Sequence, residues 1–589
     1  MTISKRFILR QRQSTLTIIL LSLLLISSCS LENQSSNRTI EVIADEILEA
    51  TMLRYPSTPT FYSIKNSRHD QLYDNSLGAL KQWQFKEDRW LDELNAIGEP
   101  AEIGSRDWVT FGIIYESLTA SREIRICRKE LWETSTTTAW YTGLPFIFDI
   151  QPLDSIQLKE QALNRLNQVG RFIDTEVRNL KRGLSEGYSS PRITVDSVPL
   201  EVRALLEPNS PFLSIGERAA DEDFNNHVKQ IFNNEISPAI TRYADFIESE
   251  YLDQARDQIS INFNPNGSKC YPALVRSFAT IQPSANQIHD IGLQQISLIR
   301  SEMTDLLDAH FDGELIESFL RRINTDKEFT FRSEKDVVQY SRDALQAARD
   351  KMGQVFELKP IADILVKPYP EYAASGVGEY HSSSEDGARP GIFYIAVKDP
   401  ENRSRASQLS TLYHETYPGH HMQGAIALEL GDEVHPLVRY TYNAGYSEGW
   451  ALYSERLAEE LGLYKTPLDL MGMLSDQAAR AARLVVDSGI HAKGWTRQQA
   501  VDFMLSNTGW AEVDIQSDIN RYISWPAQAN AYMLGMLKFH DLRLYAEAEL
   551  GGTFDIRQFH NRLLENGSMT LPMTDQAVMQ WVASQKSLR

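Results

Sequence analysis

The chain has 589 residues, 42% hydrophobic and 23% charged, which argues for a globular protein and against a disordered one. Its 59 basic and 79 acidic side chains leave a net charge of −20, a surface that repels nucleic acid and anionic headgroups. Three cysteines, one of them at position 29 close to the N-terminus, exclude a disulfide framework and a thiolate zinc site.

The opening MTISKRFILRQRQ carries four cations and no acid, and the apolar run TLTIILLSLLLI and the small residues SSCS follow it. That order is a secretory signal, too short for a comfortable membrane span. Its end, ISSC, resembles a bacterial lipobox, which implies that Cys29 receives lipid and becomes the mature N-terminus. The alternative is an ordinary cleaved signal with an incidental cysteine. Ser30 after the cysteine resembles the outer-membrane sorting pattern of a Gram-negative envelope, with the protein facing the periplasm. Residues 1–28 are thus expected to be the signal peptide and 29–38 a lipidated polar tether, the only attachment to a membrane. Without residues 1–28 the chain keeps 55 basic and 79 acidic side chains, a net charge of about −24. Cys127 and Cys270 remain, enough for one disulfide.

Beyond the tether, VIADEILEATMLRY and QALNRLNQVGRFIDTEVRNLKRGL repeat apolar residues at spacings of three and four, the period of amphipathic helices. Turn clusters at LEPNSPF and NPNGSK punctuate this half without marking a domain boundary. Residues 366–400 differ, being rich in Gly, Ser and Pro with one β-like run, GIFYIAV, read as a short strand or hairpin leading into a helix. Helical periodicity returns from residue 404. The expected fold is mostly α: a single large helical domain over 39–589, with a small β element beside a metal-site half at about 366–589.

The stretch Tyr413 to Gln423, YHETYPGHHMQ, places three of the twelve histidines within eight residues, next to Glu415. Catalytic zinc takes three N or O ligands at about 2.0–2.2 Å and keeps one position open. In an unbroken helix His421 would share a face with His414 but lie about 10.5 Å along the axis, and His420 would be about 120° off that face. The helix must therefore be interrupted. Pro418 clashes with the carbonyl four residues back, that of His414, and offers no N–H, while Gly419 permits backbone angles closed to other residues. The segment TYPG is expected to bulge so that His414 and one of His420 and His421 meet. A third ligand comes from YNAGYSEGWALYSERLAEELGLY, where Glu448 sits among apolar and aromatic residues and a buried carboxylate needs a cation or a partner. Glu455, seven residues on and on the same face, is expected behind the ligands.

HETYPGHHMQ, EGWALYSE, RLVVDSGIHAKGW, RYISWPAQANAYMLG and FHNRLLENGSMTLP together resemble the bacterial family called domain of unknown function 885, over nearly the whole chain beyond the tether. That family is grouped with the helical gluzincin metallopeptidases, which implies a helical metallopeptidase-like fold with a deep cleft. The resemblance implies that His414 is the first ligand, Glu415 the general base and Glu448 the glutamate ligand. HMQ at 421–423 resembles the HIQ that ends the motif of angiotensin-converting enzyme, which favours His421 over His420. The inserted proline and glycine depart from the HExxH of those relatives.

Amide hydrolysis also needs a donor for the developing oxyanion. RLVVDSGIHAKGW sets Asp487 and His491 four apart, where the carboxylate can orient the imidazole. RYISWPAQANAYMLG offers Arg521, Gln528 and Tyr532, and AYMLG resembles the tyrosine-rich segments that face substrate in the helical relatives. His491 and Tyr532 are the donor candidates, and Arg521 is the candidate for holding a substrate carboxylate bidentately. Phosphate-binding Gly loops, a GxSxG elbow and a dinucleotide fingerprint do not occur. The sequence thus reads as an envelope-anchored zinc hydrolase of peptidase type acting on a peptide or small amide, with manganese or cobalt able to occupy the same ligands. The alternatives are a zinc hydrolase of non-peptide amides or esters, and a catalytically inactive metal-binding lipoprotein.

Overall fold

Small polar residues at helix starts organise much of the N-terminal half. Thr39, Ser76 and Ser105 each accept a hydrogen bond from an amide three residues on, opening α1 (Ile40–Arg54), α2 (Leu77–Ile97) and α3 (Arg106–Ile124). The long amphipathic run that follows is two helices, α4 (Ile156–Leu166) and α5 (Val169–Ser185), broken at Asn167 and Gln168. The computed structural model describes residues 38–62, 64, 67–369 and 378–588, and is mostly α-helical. The predicted signal peptide, Cys29 and the tether up to residue 37 lie outside the described residues. Among those described, no helix is long and apolar enough to cross a membrane.

The apolar interior falls into three clusters. α1 to α3 close a small one, residues between Leu72 and Ala255 form a second, and the largest runs from Trp108 to Val582. The last is built around α6 (Gly267–Ala279), α7 (Ala285–His310) and the helices of the C-terminal half.

The β element is larger than the expected hairpin. β1 (Ile364–Pro368) runs parallel to β3 (Gly391–Ile395), and β2 (Gly378–His381) pairs antiparallel on the other side of β3. β3 pairs along both edges and is the middle strand, and it alternates strictly, with Gly391, Phe393 and Ile395 buried on its packed face. β2 is an outer strand. It leads toward α8 (Ala406–Glu415) and α9 (His420–Glu429), the two pieces of the histidine motif.

Beneath the motif lie α10 (Ala444–Glu460), α11 (Pro467–Lys493), α12 (Glu512–Ser524) and α13 (Ala531–Leu550). α11 is buried around nearly its whole circumference, as expected for a helix at the centre of a large helical protein. α10 and α13 touch backbone to backbone. A Cβ on Gly449 would lie 2.5 Å from Gly535 Cα, and one on Gly535 would lie 1.9 Å from the Gly445 carbonyl oxygen. Only glycine fits this crossing, which brings Glu448 and Tyr532 to the same end of it.

Cys127 and Cys270 are joined as a disulfide, with Cα atoms 4.9 Å apart, and both are buried. The bridge ties the end of α3 to α6 across 143 residues of sequence. Closing a loop of that length removes much denatured-state entropy, so Cys127→Ser with Cys270→Ser should lower unfolding stability by about 2–5 kcal/mol. Denaturant titration of wild type and double variant measures it; coincident curves would show that the bridge contributes nothing.

Candidate metal centre

α8 stops at Glu415, as the proline two residues past Thr416 requires. Thr416 N and Oγ1 both return to the Leu412 carbonyl, at 2.8 and 2.6 Å, and close the helix end. The Tyr417–Pro418 peptide is cis, and the Gly419 amide reaches back to the Tyr413 carbonyl at 3.0 Å. A Cβ on Gly419 would sit 1.9 Å from the His414 carbonyl oxygen, so this position also demands glycine. The Pro418 carbonyl is held from α10 by Trp450 Nε1 at 3.0 Å and Ser454 Oγ at 3.2 Å. The helix restarts with His420 as its first residue.

The restart decides which histidine meets His414. His420 Nε2 and His414 Nε2 lie 3.4 and 3.5 Å from the same oxygen, Oε2 of Glu448, and the two rings stand at 89° with centroids 4.8 Å apart. The three donor atoms lie within 4.8 Å of one another. Ligands at about 2.0–2.2 Å around a tetrahedral cation are about 3.3 Å apart, so both spacings to Glu448 already suit one. His421 does not join them. Its Nε2 donates to the Ala362 carbonyl at 3.2 Å and its Nδ1 accepts from the Tyr380 hydroxyl at 3.0 Å, which ties α9 to the sheet. Burial holds this imidazole down at about 4, neutral with both nitrogens committed. The expectation that favoured His421 fails because the turn resets the helical phase at residue 420.

Behind His414, Glu455 is wholly buried and accepts from His414 Nδ1 at 2.9 Å, which leaves His414 Nε2 to face the cluster. Gln477 Nε2 donates to the other Glu455 oxygen at 2.9 Å. This carboxylate–imidazole backing is the usual support of a metal-binding histidine. Burial disfavours a charged His414, but Glu448 and Glu455 outweigh it and push the imidazole up to about 9. Burial would likewise raise Glu448, yet His420 and His414 hold it well below the usual carboxylate range. Glu415 is half-buried; burial pushes it up against the pull of the two histidines, and its Oε2 accepts from the Tyr380 amide of β2 at 3.2 Å. Among the described residues none of these three carboxylates pairs with a lysine or arginine. Three carboxylates beside two imidazoles are a donor set and a charge that a divalent cation would balance.

Two features differ from the expectations around this cluster. His491 is fully buried in α11, with Nδ1 accepting from Ile261 N at 3.1 Å and Nε2 donating to the Tyr522 carbonyl at 3.0 Å. Asp487 does not orient it, being hydrogen-bonded to Tyr271 Oη at 2.6 Å, Asn530 Nδ2 at 2.9 Å and Ala527 N at 3.0 Å. Both are satisfied core groups, so His491 is no donor to the site. Arg521 gives Nε to Asp518 at 3.0 Å and Nη1 to Gln528 at 2.7 Å, an internal pairing where the sequence reading put a substrate carboxylate. Tyr532 does belong to the site: its ring lies 6.3 Å from that of His414, nearly parallel, with the Arg483 guanidinium 4.5 Å from its centroid.

One residue went unseen in the sequence. Tyr442 is 60% exposed, yet its hydroxyl donates to Glu448 Oε1 at 2.6 Å, holding the oxygen that does not face the histidines. It precedes the helix of Glu448 and shares no period with it, so no pattern announced the pair.

The family described as "Bacterial protein of unknown function (DUF885)" matches residues 56–578. Among curated proteins none matches the chain. A crystal structure described as a "putative lipoprotein" of Colwellia psychrerythraea is similar with a TM-score of 0.87 at 25% identity, over 93% of this chain and 100% of that one. A "putative lipoprotein of unknown function" of Shewanella oneidensis has the same fold, with a TM-score of 0.72 at 16% identity over 92% of this chain and 100% of that one.

Alanine at His414, His420 or Glu448 should abolish tight binding in a divalent-metal titration, whereas His421→Ala should still take up one ion per chain. Tyr442→Phe should weaken the metal by about 10- to 100-fold, the usual cost of a lost outer-sphere hydrogen bond. Retention of full affinity by His420→Ala would break the assignment of the cluster.

Proposed function

Because the chain belongs to the DUF885 family, whose description states no activity, function rests on the site, and we propose a zinc-dependent hydrolase of peptidase type. The observation that carries this reading is the set of His414, His420 and Glu448 with Glu455 behind His414 and Glu415 beside it. Two imidazoles and one carboxylate are a donor set of catalytic zinc. The bound ion would supply Lewis acidity and ease the deprotonation of water.

The remaining work belongs to side chains of this protein. Glu415 keeps Oε2 on the Tyr380 amide, which orients the carboxylate and leaves Oε1 to accept a proton from water and return it to the leaving nitrogen. Tyr532, stacked beside His414, offers a phenolic hydrogen to the developing oxyanion, the part that His491 cannot take. Tyr442 holds Glu448 Oε1 and so keeps Oε2 turned to the histidines. A peptide substrate is favoured by β2, an outer strand whose Tyr380 amide touches the base, because extended chains add to strand edges through main-chain hydrogen bonds. The grouping with the gluzincin peptidases is part of the same proposal.

We place the protein in the bacterial envelope, anchored by lipid on Cys29. The leader ISSC and the descriptions of the two similar structures support that placement.

Metal analysis of the purified chain and a screen of peptide, amide and ester panels test the activity. Glu415→Gln keeps the size of the side chain but cannot accept the proton, so it should retain metal and lose about 10²- to 10⁴-fold in turnover. A variant with metal and full activity would rule Glu415 out as the base; metal loss would make it a ligand. Cys29→Ser should leave the membrane fraction, and unchanged fractionation would sink the anchor.

A further inference from the structure

Of the stretch RLVVDSGIHAKGW, Asp487 and His491 are satisfied core groups, and Arg483 is the residue that reaches Tyr532 of the site. It stands on α11 one turn before Asp487 and is 6% exposed. Its Nε donates to Tyr522 Oη at 2.9 Å and its Nη2 to Asp518 Oδ2 at 3.4 Å, while Nη1 has no hydrogen-bond partner. Arginine keeps its charge in such a place. The guanidinium lies 4.5 Å from the centroid of the Tyr532 ring, nearer than to Trp510 at 5.5 Å or Tyr522 at 5.9 Å.

The counter-charge is shared. Asp518 also takes Nε of Arg521 at 3.0 Å, and among the described residues it is the one carboxylate paired with either arginine. Two cations therefore face one anion, and the surplus positive charge falls beside Tyr532. Burial and Glu448 disfavour negative charge at the phenol oxygen, whereas Arg483 and Arg521 favour it. The phenol keeps its proton, as a donor must, next to a cation that eases the charge drawn onto it. A desolvated cation over an aromatic face is worth about tenfold or more in an equilibrium.

We propose that Arg483 is a positioning residue of the reaction: its guanidinium holds the Tyr532 ring in place beside His414 and stabilises the hydroxyl as that hydroxyl donates to the developing oxyanion. It acts through Tyr532 and touches neither substrate nor metal. The proposal rests on the metal-hydrolase reading, and it gives the buried central helix α11 a part in the chemistry.

Methylphosphonate, a tetrahedral anion with no side chain, stands in for the charge of the intermediate, and phosphorus NMR titration of the zinc-loaded full chain measures its affinity. Tyr532→Phe removes the donor and should weaken binding by about 10- to 100-fold, the worth of a hydrogen bond to a charged group. Arg483→Gln, which keeps a donor for Tyr522, and Arg483→Met should each retain one zinc per chain and weaken binding by about tenfold, and Arg483→Lys should restore most of it. In the Tyr532→Phe background none of the three should change the affinity further. A loss that persists without the Tyr532 hydroxyl would mean that Arg483 acts on the anion directly or on the fold, and would overturn the proposal. Undiminished binding in both neutral variants, or loss of zinc by both, would overturn it as well and leave the hydrolase reading standing. Failure of methylphosphonate to bind the zinc-loaded wild type would overturn the hydrolase reading and the role of Arg483 with it.

Discussion

Glu455, a carboxylate of α10 with no exposed surface, has one imidazole and one amide to satisfy it. Stranding such a group by removing its partner typically costs about 3–5 kcal/mol, so the fold must deliver His414 to it. That requirement governs the geometry around it. α8 has to end with its last turn over α10, and the Gly445, Gly449 and Gly535 contact lets α13 approach closely enough to bring Tyr532 to the same place. With Nδ1 of His414 committed to Glu455, Nε2 is the nitrogen that meets Glu448 and His420.

Much of this was legible because it is local. The clash of Pro418 with the His414 carbonyl and the freedom of Gly419 predict an interrupted helix, and α8 and α9 are separated there. Glu448 and Glu455, seven apart, share a face, and both meet His414. The strand at GIFYIAV is β3, where alternate residues pack one face of the strand into the interior.

What was not legible is set by contacts between distant segments. His421 looked like a ligand by its place in the motif, but Ala362 and Tyr380 claim it, and neither lies at a helical spacing from it. Asp487 and His491 have the spacing of an orienting pair on a helix, yet α11 is so deeply buried that each finds partners on other elements, Tyr271 and Asn530 for one, Ile261 and Tyr522 for the other. Helical spacing identifies which side chains are neighbours; it does not say which neighbour a buried polar group will choose when a third element offers a better geometry. The same applies to Cys127 and Cys270, whose pairing depends on α3 meeting α6.

The interruption moves the control of ligand geometry from helix period to packing. In an unbroken HExxH helix the two imidazoles are placed by the 3.6-residue repeat alone. Here the second imidazole follows a turn whose Pro418 carbonyl is gripped by Trp450 and Ser454, both on the helix that supplies Glu448 and Glu455. One helix, α10, therefore provides a donor of the cluster, the buttress of another and the clamp that sets the third. Within the proposed hydrolase this makes the Trp450 and Ser454 contacts determinants of metal geometry although neither touches the cluster's donor atoms. Despite the departure from HExxH spacing, packing brings the donor atoms of His414, His420 and Glu448 within 4.8 Å of one another, which the helical period alone would not do.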